Sequence, residues 1–263
     1  MRGALRRARA ITRLGWLLFL RDFRMRFRQT YLGYFWAVGK VLFGGLPLIL
    51  VGSSFNLGGD RSKSEYAVYA LAGLVAWQIF WDGVISPQWV ARRMRRILTE
   101  LALPIESILI AGGFYALFHA AIYLALIVAA LAVFRIPPPA TLPLGVLTLP
   151  ALVFAGVAIG MWFVPLTFVY LDFRYGLPFL SPVLLWTAPV FYAMPESGLL
   201  REVNRWNPLT YLIDDPRQWL TVGRSGHEFA FVVCLAIFAV LFSIGLWFYR
   251  RAMPIAVERL PQR

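Results

Sequence analysis

Three ionisable residues of this chain stand inside long apolar runs: Lys40, Asp82 and His119, with Glu106 at the edge of another. A side chain in such a place can carry a proton, pair with a counter-charge or bind a polar ligand, because leaving it alone among apolar groups is costly. Lys40 and Asp82 lie well enough within their runs to require an internal partner, whereas His119 reads as a packed or hydrogen-bonded core residue. Metal or nucleophilic chemistry needs more than this. His119 and His227 are the two histidines, and they form no HxxxH or HExxH pair. Cys234 is the single cysteine, which excludes an intrachain disulfide and any CxxC site. There is no GxSxG elbow. Asp82-Gly83 lacks the further aspartates at short helical intervals with which a lipid-headgroup transferase would hold a metal. The stretch Gly58-Gly59-Asp60-Arg61-Ser62-Lys63-Ser64 lacks the second glycine of a Walker A loop, so no ATP site is expected in this chain. The expectation is a protein with no catalytic residues, no metal and no cofactor of its own.

The charged residues that remain are mostly arginines in two clusters. Arg21, Arg24, Arg26 and Arg28 run into Tyr34, Phe35 and Trp36 and then a long apolar stretch; Arg92, Arg93, Arg95 and Arg96 surround Met94 and precede Ile97 and Leu98. Arginine suits bidentate contact with phosphate. The net charge of +13 fits nucleic acid or lipid headgroups equally, but its distribution decides. Arginines gather at the ends of apolar runs, which points to membrane lipid and away from nucleic acid.

The elements that must position these residues follow from hydropathy. The chain is 60% hydrophobic and 15% charged over 263 residues, with mean hydropathy +0.67, too apolar for a soluble domain of this size. A hydrocarbon layer of about 30 Å takes about 20 residues of helix, and backbone groups inside it must be satisfied within the segment. Six spans are predicted, at 32–55, 66–87, 105–134, 142–170, 177–193 and 229–249, giving an all-α polytopic membrane protein that forms one transmembrane domain. Gly112, Gly113, Gly156, Gly160 and Pro165 are tolerable within these spans where helices pack closely.

With both termini on one side, eighteen of the basic residues fall on that side and seven on the other, Lys40 being within a span. The positive-inside rule then places both termini in the cytoplasm. Residues 1–31 are predicted as a cytoplasmic interfacial helix, because Arg6, Arg9, Arg13, Arg21, Arg24 and Arg28 share a sector, with Trp16, Phe19, Phe23 and Phe27 beside it. Arg7 and Arg26 fall off the pattern. The 88–104 loop has Val90, Met94, Ile97, Leu98 and Leu101 at helical spacing and ends at Pro104; it reads either as a short amphipathic helix offered to a cytoplasmic partner or as a topogenic loop resting on lipid. Residues 194–228 form the one sizeable external segment. Asn207-Pro208 and Asp215-Pro216 give turns there, while Leu209, Leu212, Ile213 and Leu220 are too apolar for a solvated loop, so the segment is expected to fold back as a re-entrant lid or an interfacial packing element. The triplet Asp-Phe-Arg, at 22–24 and 172–174, is too short to count as a repeat.

The run from Arg21-Asp22-Phe23-Arg24 through Arg28-Gln29-Thr30-Tyr31-Leu32-Gly33-Tyr34-Phe35-Trp36-Ala37-Val38 resembles the start of the membrane subunit of ABC-2 type polysaccharide exporters, the O-antigen, capsule and teichoic-acid exporters. Leu171-Asp172-Phe173-Arg174 with Ser181-Pro182 and Ala188-Pro189-Val190-Phe191-Tyr192, and Asn207-Pro208-Leu209-Thr210 leading to Arg217, agree with it in order along the chain. The resemblance implies a homodimeric permease of the bacterial inner membrane. It would bind two copies of a cytoplasmic ABC ATPase that carries the ATP and Mg, and would export a lipid-linked glycan on a polyprenyl-pyrophosphate carrier.

On that reading the 88–104 loop is the ATPase coupling helix, with Arg92, Arg93, Met94, Arg95, Arg96, Ile97 and Leu98 at the contact. Arg24, Arg26 and Arg28 meet the carrier's pyrophosphate. Tyr34, Phe35, Trp36, Trp77, Phe80, Trp81, Trp186, Phe191 and Tyr192 are expected along the glycan's path or in the aromatic belt common to membrane proteins. Two alternatives stay open: an ABC-2 permease for a drug or simple lipid, and a membrane-embedded lipid-modifying enzyme. The latter needs an acid or histidine cluster that the sequence does not display.

Overall fold

The computed structural model describes residues 2–28, 33–54, 61–100, 103–194, 197–224 and 227–259. Among them there is no strand, and the helices in order are α1 (Arg2–Arg28), α2 (Gly33–Ser54), α3 (Lys63–Arg93), α4 (Arg95–Glu100), α5 (Glu106–Val133), α6 (Leu142–Val169), α7 (Leu171–Thr187), α8 (Leu199–Trp206), α9 (Pro208–Thr221) and α10 (Glu228–Glu258). Four of these, α3, α5, α6 and α10, are long and apolar enough to cross a membrane. The chain is a membrane-embedded helical protein.

Two of the six expected spans, those of α2 and α7, are not among the helices long and apolar enough to cross. The apolar stretch of α2 is Val41–Gly52, and α7 has 17 residues, or about 26 Å of helix against a hydrocarbon thickness of about 30 Å. The fifth span was expected over 177–193; the helix instead begins at Leu171 and stops at Thr187. Pro189 supplies the reason, since a residue before proline avoids helical geometry, and Ala188 is extended at φ −112°, ψ 151°.

Helix ends follow local chemistry. Ser62 caps α3 in a capping box: its hydroxyl accepts from the Glu65 N–H at 3.3 Å, and the Glu65 carboxylate accepts from the Ser62 N–H at 2.9 Å. Asn207 caps α9 by accepting from the Leu209 N–H at 3.0 Å, with Pro208 at the first helical position. At the end of α5 the Ile136 N–H reaches back to the Leu131 carbonyl at 2.9 Å, closing a six-residue turn around Arg135. Arg135 has φ 55° there, a conformation that usually falls to glycine.

Helix α3 is the axis of the bundle and is buried along nearly its whole length. It meets α6 where Gly156 and Gly160 face the backbone of Phe80, Gly83 and Val84; a Cβ built on Gly156 would lie 2.1 Å from the Phe80 carbonyl oxygen. This small-xxx-small pair lets the two backbones touch, the arrangement that substitutes for hydrophobic driving force inside lipid. Helix α5 packs on another side of α3, with Gly112 against Pro87. Helix α10 packs on α6, where Trp162 and Phe248 stack at 5.2 Å.

Helix α1 packs against α5. Its contacts advance in step with α5: Gly15 on Ile110, Phe19 on Phe114 and Tyr115, and Phe23 on Phe118. Eight residues of α1 therefore match eight of α5, about 12 Å of each, so α1 runs alongside α5 and in the same direction. Trp16, Phe19 and Phe23 of the aromatic stripe meet Phe114, Tyr115 and Phe118 in edge and tilted ring contacts. The arginines at 6, 9, 13, 21 and 24 stay exposed.

Candidate functional site

Polar side chains gather at three levels of the bundle. At the end that holds the termini, Asp22 of α1 is 5% exposed and accepts hydrogen bonds from Arg93 Nη1 and the Tyr115 hydroxyl, both at 2.7 Å. Nearby, Glu106 accepts from Arg250 Nε at 2.8 Å, with Arg7 at 3.9 Å, and the Tyr249 hydroxyl donates to the Ile105 carbonyl at 3.0 Å. These contacts fix both ends of the segment joining α3 to α5. Arg93 ties its start to α1, and Ile105 and Glu106 tie its end to α10.

Between these anchors the short α4 carries the residues expected at the coupling contact. Met94, where α3 gives way to α4, is buried, and Ile97 and Leu98 are half-buried. Arg95 and Arg96 project outward. Arg96 pairs with Glu100 at 2.8 Å, and that hydrogen bond holds its guanidinium further toward the charged form than usual. Arg92 and Arg93 both lie over the Trp89 ring, at 5.9 and 5.7 Å. Of the seven predicted coupling residues, Arg93, Arg95 and Arg96 are exposed, with Arg93 held by Asp22 and Arg96 by Glu100.

One level further in, Asp82 of α3 meets α5. His119 Nδ1 lies 2.9 Å from Asp82 Oδ2, and the Tyr123 hydroxyl donates to the same oxygen at 3.0 Å. The internal partner that Asp82 requires is thus supplied by α5; the side chain of Lys40 lies outside the described residues.

At the opposite end of the bundle α9 inserts between α6, α3 and α10 and buries Arg217 completely. Its Nη1 donates to the carbonyls of Pro189 at 2.5 Å and of Val190 and Tyr192 at 3.2 Å, and its Nη2 pairs with Asp214. The guanidinium stacks 3.9 Å from the Tyr69 centroid, while its Nε is buried with no hydrogen-bond partner among the described residues. The non-helical stretch after α7 is thereby clamped onto α3. Gly73 makes room for it, since a Cβ there would sit 2.2 Å from the Val190 carbonyl oxygen, and the Tyr66 hydroxyl donates to the Phe191 carbonyl at 2.9 Å. Tyr192 adds a contact with Asn204, whose amide donates to its hydroxyl at 3.1 Å. Burial pushes the Tyr192 phenol above its ordinary pKa, against the Asn204 bond and the Arg217 charge, which both lower it.

Asp214, Asp215 and His227 bring their ligand atoms within 4.8 Å of one another, a cluster that sequence spacing does not reveal. It is a poor cation site, because the guanidinium of Arg217 already occupies Asp214 and Gln218 takes its second oxygen. The role of Arg217 was equally hidden: its acceptors are backbone carbonyls 25 to 28 residues away. The one available signal was Asp214 and Arg217 at i, i+3 inside the apolar pattern of Leu209, Leu212, Ile213 and Leu220.

The structure divides the residues expected at the headgroup and along a glycan path. Arg24 is exposed. Trp77, Phe80, Trp81 and Phe191 lie inside the core of the single chain, where Trp77 and Trp81 stack at 5.8 Å and Trp77 Nε1 donates to Ser181 at 3.3 Å. They therefore pack α3 rather than present a surface. Tyr192 is half-buried and Trp186 is exposed. The side chains of Arg26, Arg28, Tyr34, Phe35 and Trp36 lie outside the described residues. Helix α7 instead exposes two other aromatics, Tyr175 and Phe179, on the face that carries Trp186. No protein-family model matches this chain, and a search of the curated proteins finds no match either.

Proposed function

We propose that this chain is the membrane subunit of an ABC-2 type exporter that moves a lipid-linked polysaccharide outward across the bacterial inner membrane, as a homodimer driven by two copies of a separate ATPase that binds ATP and Mg. The observation that carries the reading is the α3–α5 connection, whose outward arginines Arg95 and Arg96 sit on a segment braced by Arg93–Asp22 and Arg250–Glu106. A push on that surface meets a segment anchored on both sides. It passes to α3, to α1 through Asp22, and to α5 and α10 through Glu106. The sequence run from Arg21 to Val38 supports the family reading.

In this mechanism both termini are cytoplasmic and α2 and α7 complete six membrane crossings. Arg24 meets the carrier pyrophosphate at the base of α1, together with Arg26 and Arg28. Closure of the ATPase pair drives α4 and tilts α3, opening the route between two protomers. The exposed aromatics of α7, with Tyr34, Phe35 and Trp36, offer sugars apolar faces along that route.

The test is to co-express the chain with the ATPase encoded beside it, reconstitute what copurifies, and measure ATP hydrolysis and glycan export. Arg95→Glu with Arg96→Glu is expected to abolish copurification or lower export by about tenfold or more, since charge reversal at a docking surface costs several kcal/mol. Arg9→Glu, on the exposed face of α1, is expected to leave both unchanged. Failure of any ATPase to copurify with the wild-type chain overturns the proposal.

A further inference from the structure

Between α2, α3 and α5, at the end of the bundle away from the termini, lies a cavity of about 240 Å³. Its walls include Val41 and Leu46 of α2, Leu71 of α3, and Leu126 and Ala130 of α5, with Phe134 at the end of α5, and among the described residues no charged side chain lines it. It opens to the surface beside Leu46 and Phe134, each 45% exposed. In a membrane-embedded protein an open, wholly apolar groove is filled by hydrocarbon, so the question is whether anything at its mouth selects the molecule that carries the chain.

Two cations flank these lining residues along the chain. Arg135 directly follows Phe134, and Lys63 lies one helical turn before Ala67, which also lines the cavity. Both are exposed, and neither makes an ion pair among the described residues. Arg135 occupies this point in a left-handed conformation, φ 55°, where glycine or asparagine would be the unstrained choice. Among the described residues of that stretch, Arg61 lies 4.0 Å over the Tyr69 ring, and Glu65 is bound to Ser62.

We infer that this is a binding site for an anionic phospholipid of the leaflet at that end of the bundle, one acyl chain in the groove and the phosphate between Lys63 and Arg135. The inference rests on membrane embedding alone and is independent of the exporter reading.

The experiment is a titration of the purified full-length chain, in a neutral detergent, with phosphatidylglycerol and with phosphatidylcholine of the same acyl chains, followed by native mass spectrometry. The wild type is expected to retain phosphatidylglycerol preferentially. Arg135→Gly is expected to weaken that retention by about fivefold, the usual effect of one surface cation on an anionic lipid. Its melting temperature without lipid should be equal to or above that of the wild type, because glycine relieves the backbone. Adding Lys63→Gln should bring phosphatidylglycerol down to the level of phosphatidylcholine. Ala130→Phe, which fills the groove, should weaken both lipids, and sn-glycerol 3-phosphate, which lacks the chains, should not compete. Equal retention of the two lipids by the wild type, undiminished preference in the double variant, or competition by glycerol phosphate would each overturn the proposal.

Discussion

Arg217 carries five N–H donors and cannot shed its charge, so a fully buried position demands acceptors on several sides. The structure provides three backbone carbonyls, one carboxylate and a ring face. Arg217→Gln would strip the carbonyls of a donor and leave Asp214 buried without its counter-charge, a loss of about 3–5 kcal/mol for breaking a buried pair. Thermal unfolding in detergent should show a large fall in midpoint, with Arg217→Lys intermediate because a single ammonium keeps the charge but cannot span the acceptors. An unchanged midpoint for Arg217→Gln would show that the clamp contributes nothing. At this scale the sequence was legible where a charge sat in an apolar run and illegible where its partner was backbone. Asp82 could be picked out as needing a partner, but nothing near it in sequence named His119 and Tyr123, 37 and 41 residues on.

Helix contacts give the clearest paired prediction. Gly156 has the Phe80 carbonyl oxygen 2.1 Å from its virtual Cβ, whereas Gly113 has nothing within 4 Å. Both lie in the interior of a helix, where alanine is intrinsically better than glycine by about 1 kcal/mol. Gly113→Ala should therefore be neutral or stabilising, while Gly156→Ala must push α3 and α6 apart and should destabilise by about 1–3 kcal/mol, as overpacking does. The Gly156→Ala midpoint should fall while the Gly113→Ala midpoint stays level or rises; a fall of similar size in both would dismiss the close-contact argument. The positions of the long apolar helices were readable from hydropathy, because length and composition alone define them. The course of α1 was not. An amphipathic stripe states that one face will be covered, and it is silent on whether lipid or α5 does the covering. Nor did hydropathy see that Pro189 would end α7 early, since Val190 and Phe191 continue the apolar run past it.

For the molecule as a whole, the exposed aromatic face of α7 is one surface that a second copy could cover. Phe179 is 76% exposed, and α7 touches the rest of the chain mainly through α6. If two copies meet there, Phe179→Cys in a Cys234→Ser background should form a disulfide-linked dimer in native membranes. An outward-facing cysteine on α10, such as Val232→Cys, should not. Crosslinking only at Val232 would move the interface to α10. Composition made the membrane environment plain, but assembly depends on which exposed faces match, and a single sequence does not encode its own symmetry in any periodic pattern.

The tie between Asp22, Arg93 and Tyr115 has a consequence for biosynthesis. Asp22 leaves the ribosome first, yet its partners lie 71 and 93 residues later in the chain. At about 5–20 residues per second of synthesis, the partners of α1 arrive about 5–20 s after it does. Throughout that interval its aromatic stripe has no α5 to cover it, and the membrane surface is the natural place for it to wait. Docking α1 is then a late step, completed only after α3 and the first half of α5 have emerged. A chain that falters between Asp22 and Tyr115 would leave an amphipathic, arginine-rich helix stranded and open to quality-control proteolysis.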